Sequence, residues 1–72
     1  MHTSFLKYFD EVARQRSIRK AAQLLNVSST SVNRKILNVE QRLGVSIFDR
    51  TPEGVELTAV GAILLEHCRT VL

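Results

Sequence analysis

Two groupings in this 72-residue sequence carry side chains that could do chemistry. The first is the hydroxyl run Ser28-Ser29-Thr30-Ser31, followed by Asn33, Arg34 and Lys35. Serine and threonine are mediocre inside helices because their side chains compete for backbone hydrogen bonds. At the start of a helix they are useful, since the first N–H groups there are unpaired and carry a partial positive charge that attracts phosphate. Short hydroxyls let the backbone come close to a ligand, and each can donate to a phosphate oxygen or a base edge. Asparagine can bond adenine through two contacts, and arginine can do the same with guanine. A capping role explains one of the four hydroxyls, Ser28. The other three, with Asn33 and Arg34 a turn later, read as the exposed tip of a helix that meets nucleic acid.

The second grouping is His67-Cys68, and it leads nowhere. Neighbours on a helix point roughly 100° apart, so the pair holds one ion poorly, and a zinc site needs three or four ligands at suitable spacing. The other histidine is His2, at the far end of the chain. There is no glycine-rich phosphate loop and no converging set of acid, base and nucleophile. No enzyme, no metal and no cofactor are expected, and Cys68 reads as a small apolar residue.

Composition is consistent with a partner of opposite charge. At 44% hydrophobic and 24% charged, the chain describes one small domain. The formal net charge of +3 is modest, but it is unevenly placed. Residues 17–43 carry Arg19, Lys20, Arg34, Lys35 and Arg42 against Glu40, a net of +4, whereas residues 44–72 sum to −2. The positive segment is the one holding the hydroxyl run, as a polyanion partner requires. One cysteine permits no internal disulfide. The longest wholly apolar run, Ala62 to Leu65, is far short of a membrane span. A cytoplasmic place and no membrane partner follow as expectations.

The elements that must position these residues read as mainly α. Phe5, Phe9, Val12 and Ala13 recur at helical spacing, which predicts a first helix from about Ser4 to Gln15. Ser17 caps a short second helix whose inner face is Ile18, Ala21, Ala22 and Leu25, and the paired alanines let another helix cross closely. Asn26 ends it in a left-handed turn with Val27 tucked inward, and Ser28 caps a third helix. Val32, Ile36, Val39 and Leu43 form the core stripe of that helix, and Gly44 stops it. Helix, short turn, helix is the helix-turn-helix arrangement. Val45 to Leu57 then reads as a hairpin about a Pro-Glu-Gly turn at 52–54, a wing, and Thr58 caps a last helix. On that helix Val60, Leu64, Cys68 and Val71 lie on one side, extended by Leu65 and Leu72, with Ala62 and Ile63 outside the arc. Its apolar arc of about 140° exceeds what one core contact needs, which points to pairing with a second copy.

The stretches Ser17 to Ser28, Val32 to Ile36 and Val39 to Arg50, with Leu57-Thr58-Ala59-Val60-Gly61, resemble the N-terminal domain of LysR-type transcriptional regulators over essentially the whole chain. The resemblance implies a winged helix-turn-helix (three-helix core, two-stranded wing, C-terminal linker helix), with residues 1–57 as the DNA-binding domain and 58–72 as the start of the linker and dimerisation helix. It implies a homodimer joined through antiparallel linker helices, here by Ala62, Leu65, Cys68 and Leu72, and a further C-terminal domain that binds a small-molecule effector. By position, Ser28, Ser29, Thr30, Asn33 and Arg34 would face the major groove of double-stranded DNA. Arg19, Lys20 and Lys35 would lie near phosphates, and Arg50 and Thr51 would set the wing. Relatives usually have Gln-Pro-Ala at 29–31 and Ser at 33, so their base preferences do not carry over. Glu53 and Gly54 stand where relatives often have basic residues, so a weaker wing contact is expected. Glu40 is expected to pair with Arg50. The competing reading is a winged helix used for protein contacts alone.

Overall fold

The computed structural model describes residues 3–71, with side chains from 4 to 70. Four helices and one hairpin follow in the order α1 (Thr3–Gln15), α2 (Ile18–Leu25), α3 (Ser29–Leu43), β1 (Phe48–Thr51), β2 (Gly54–Leu57) and α4 (Ala59–Val71). None of these helices is long and apolar enough to cross a membrane.

Each boundary has a local cause. Arg16 adopts φ +54° and its N–H donates to the Val12 carbonyl at 2.8 Å, closing α1. Ser17 is extended, and its Oγ accepts from the Lys20 N–H at 3.1 Å to start α2. Asn26 is left-handed at φ 58°, while the Val27 N–H reaches back to the Ala22 carbonyl at 3.0 Å, the bond that seals this type of helix end. Ser28 caps α3, and Gly44, at φ 72°, ends it with its N–H on the Glu40 carbonyl at 2.8 Å. Thr58 caps α4 through the Gly61 N–H at 2.9 Å and donates its own proton to the Ser46 carbonyl at 2.7 Å.

The core is where the helices meet. Phe5, Phe9 and Val12 of α1, Ala21 and Ala22 of α2, and Val32 and Ile36 of α3 are buried, closed on the other side by Ile47, Phe48 and Val55. Phe9 stacks on Phe5 at 5.3 Å and meets Phe48 edge-on at 5.5 Å, so the aromatic line joins the first helix to the wing. The hairpin pairs Phe48 with Leu57, Asp49 with Glu56, Arg50 with Val55 and Thr51 with Gly54. The Val55 N–H donates to the Arg16 carbonyl at 3.1 Å, which ties the wing to the end of α1. Gly54 lies so close to that carbonyl that any Cβ there would overlap its oxygen.

Three expectations need correction. Leu43 is 49% exposed, because the burial of the α3 stripe fades from Val32 and Ile36 through half-buried Val39, and the last turn runs past the core. Val27 lies at the surface, since the left-handed turn at Asn26 sends the chain outward to Ser28. The third concerns α4. Leu65 and Cys68 are each only 4% exposed and belong to the domain's own core, so neither is available to a second copy. Gly61 sets this orientation by resting on the Ile47 carbonyl, and Leu65 and Cys68 follow it at helical spacing on the same side. Burial pushes the Cys68 thiol above its ordinary pKa. Leu72 lies outside the described residues.

Candidate nucleic-acid interface

The side of α3 opposite Val32 and Ile36 is open. Thr30, Arg34, Leu37 and Gln41 run along it, all exposed, and Ser29 and Ser31 are exposed beside Thr30 in the first turn. The capping geometry shapes this tip. Ser28 Oγ accepts the Ser31 N–H at 3.1 Å and donates to Ser31 Oγ at 2.8 Å, and the Ser28 carbonyl takes the Val32 N–H at 3.2 Å. That leaves the amides of Ser29 and Thr30 as the outward-facing pair at the positive end of the helix. No acidic residue stands in the first turn to neutralise it.

Arg19 and Lys20 are exposed on the first turn of α2, and Arg34 and Arg50 are exposed on α3 and β1. Lys35, on the flank of α3, is half-buried as a residue; a lysine so placed can cover apolar surface with its stem and keep its ammonium in water. Among the described residues, the only carboxylate–cation pairs within 4 Å join Asp10 to Arg14 and to Arg69, on α1 and α4. Arg19, Lys20, Arg34, Lys35 and Arg50 are therefore uncompensated.

Two residues sit otherwise than the sequence suggested. Asn33 is half-buried on a flank of α3, not on its open face, and its Oδ1 is buried with no hydrogen-bond partner. Only the rest of its carboxamide is left to meet a ligand. Glu40 does not pair with Arg50. Its Oε2 accepts the backbone N–H groups of Ile47 at 2.8 Å and Phe48 at 3.2 Å, fastening the start of the wing to α3. An acidic helical residue a few positions before a glycine stop was the available sign, but its partners are backbone groups that no residue code displays.

The wing itself is acidic. Asp49 and Glu56 face each other across the hairpin and Glu53 stands at its turn, against the single cation Arg50. Thr51 is half-buried and its hydroxyl donates to the Gly54 carbonyl at 3.3 Å, so it braces the turn from within. Among the described residues no three of His, Cys, Asp and Glu are grouped to hold a metal ion.

Comparison with known proteins agrees with this geometry. The family model for the bacterial regulatory helix-turn-helix protein, lysR family, matches residues 4–62. The HTH-type transcriptional regulator YofA of Bacillus subtilis (strain 168) is 43% identical over 72 residues, covering all of this chain and 25% of that protein. ClcR of Pseudomonas putida, also an HTH-type transcriptional regulator, is 46% identical over 67 residues, 93% of this chain and 23% of its own length. The crystal structure of the CbnR_DBD–DNA complex superposes with a TM-score of 0.93 at 38% identity, covering 99% of this chain and 82% of that one. The chain thus spans about a quarter of the length of the curated relatives it matches. With the fold, the caps and the open face of α3 in agreement with a match over most of its residues, the chain belongs to the lysR family of bacterial regulatory helix-turn-helix proteins.

Proposed function

We propose that this domain binds double-stranded DNA in a sequence-specific way, as the N-terminal reader of a LysR-type transcriptional regulator. One observation carries the reading: the first turn of α3 projects from the fold, positive and hydroxyl-lined, beside cations with no internal carboxylate partner. In this role α3 enters the major groove. Thr30 and Arg34 read base edges, with Asn33 contributing from the flank, while Ser28 and Ser29 meet the backbone near the helix tip. Arg19, Lys20 and Lys35 supply the sequence-independent attraction. Arg50 and Thr51 place the wing, whose carboxylates keep its own contact weak. The work is binding, not catalysis, in the cytoplasm, and residues 1–57 form the reader with 58–72 opening the linker helix. A longer chain would add the effector-binding domain.

Selection of bound duplexes from a random pool tests the reading directly. On a selected site, Arg34→Ala should cost ~1–3 kcal/mol and relax one base position. Lys35→Ala should weaken all sequences alike and lower the salt slope by about one. If no duplex is bound with a salt dependence, the protein-contact reading replaces this one.

The same proposal includes a homodimer through α4. Since Leu65 and Cys68 are internal, the apolar surface that the described residues of α4 leave for a second copy centres on Ile63, 71% exposed, with Val60 and Ala62 beside it. Sedimentation should show a concentration-dependent dimer that Ile63→Glu converts to monomer without loss of fold. Equal behaviour of the two proteins would remove that face from the interface.

A further inference from the structure

The open face of α3 is polar except at one place. Leu37 is 47% exposed, one turn beyond Arg34 and two turns beyond Thr30, on the same side of the helix. Its neighbours along that side are Arg34 and Gln41, and it also forms one wall of a shallow depression closed by Gly44, Val45 and Ser46. The fold does not need it there, because the stripe that packs α3 into the core is Val32, Ile36 and Val39 on the opposite side.

A face carrying Arg34 cannot reach base edges without bringing Leu37 against the duplex as well. A leucine has no hydrogen bond to offer. Set against the donors and acceptors of the major groove, it would strip water from a polar edge and leave that edge unpaired. One group in the major groove escapes this penalty, the C5-methyl of thymine, which is apolar. Three residues of helix advance the chain by about 4.5 Å, against ~3.4 Å per base step along a strand. The methyl contacted by Leu37 therefore belongs to a base pair within one or two steps of the base that Arg34 reads.

We propose that Leu37 is a specificity residue that selects thymine by its 5-methyl group, next to the position read by Arg34. The proposal rests on the DNA-binding reading above and adds to it the base chemistry of one position. Cytosine and uracil both bind less well there because each lacks the methyl and leaves the leucine facing only a polar edge.

The test uses the selected duplex with each thymine replaced in turn by uracil, then by 5-bromouracil, whose bromine fills the volume of the methyl. Binding is measured for the wild-type chain and for Leu37→Ala and Leu37→Asn, both checked for an unchanged thermal transition. At one thymine per half-site, uracil should weaken wild-type binding about fourfold, the effect of one apolar carbon returned to water. Bromouracil should restore it, and both variants should be indifferent to the exchange. Uracil losses that are equal in wild type and variants would overturn the proposal. So would wild-type binding that no uracil weakens while both variants bind every duplex less well, since Leu37 would then contact backbone or protein. Salt-dependent duplex binding by wild type in either of those cases leaves the DNA reading standing, whereas its absence overturns both.

Discussion

Gly61→Ala is expected to destabilise the domain by about 3 kcal/mol, although alanine is the better helix former. In an open helix the same exchange would stabilise by roughly 1 kcal/mol. Here the sign reverses because α4 lies directly on the loop before the wing. A Cβ at residue 61 would overlap the Ile47 carbonyl oxygen, crowd the Ile47 carbonyl carbon at 2.9 Å and press on the Leu57 side chain at 3.1 Å. The oxygen is backbone and cannot swing aside. It is held in place by the Thr58 N–H at 3.0 Å, and Ile47 itself is fully buried. The helix must lift instead, which pulls Leu65 and Cys68 out of the core they help to close. For a domain of this size the loss corresponds to a fall in melting temperature of roughly 12–24 °C. The control is Ala62→Gly on the exposed side of the same turn, expected to lose only about 1 kcal/mol. Thermal unfolding of the two variants side by side decides the matter, and a Gly61→Ala protein at least as stable as wild type would mean that α4 does not sit on Ile47.

Glu40→Ala should cost ~2–4 kcal/mol, through a different cause. Two backbone N–H groups converge on one oxygen of this carboxylate, and they belong to Ile47 and Phe48, both of which are buried. Hydrogen bonds to a charged acceptor are about twice as strong as neutral ones. Removing the acceptor leaves two donors at the edge of the core with nothing to replace it. Glu40→Gln separates charge from geometry. Its single carbonyl oxygen can take both N–H groups in the same place, so about half the loss should be recovered. Denaturant unfolding of the three proteins provides the comparison. If both variants stay within about 0.5 kcal/mol of wild type, as ordinary surface changes do, the wing is fastened by something other than Glu40. Because the wing starts at Phe48, the alanine variant should also loosen the hairpin, visible as faster amide exchange at Val55 than at Ile36.

Both positions show why part of this structure could not be read along the chain. Glu40 has an ordinary helical code, acidic and three residues before Leu43, and its role depends on a chain reversal that returns Ile47 and Phe48 to its side. Nothing in the type of residues 47 and 48 announces a free N–H, since every residue but proline has one. Gly61 was readable only as a poor helix former, whereas its use is closeness to a carbonyl 14 positions earlier. The orientation of α4 followed the same rule. A helical wheel gives equal weight to every apolar residue and none to glycine. It therefore placed Leu65 and Cys68 on one broad apolar arc, which the family resemblance gave to a partner, while the contact at Gly61 turned them inward. Asn33 was misjudged for a related reason. Sequence placed it one turn along an outward face, but that side of α3 is flanked, and its Oδ1 ends up buried.

What the sequence determined by itself is everything whose cause lies within a few residues. The caps at Ser17, Ser28 and Thr58, the left-handed stops at Asn26 and Gly44, and the small Ala21-Ala22 crossing are local hydrogen-bonding and steric facts. Those facts suffice for four helices in this order, and with the alternation about Pro52 they yield the winged helix-turn-helix and its exposed hydroxyl tip. Tertiary structure alone decided which side of α4 faces in, what Glu40 holds and how deep Asn33 lies. Each of these depends on backbone groups or packed surfaces brought together from distant positions, and such closeness is a property of the folded chain, not of any residue's type.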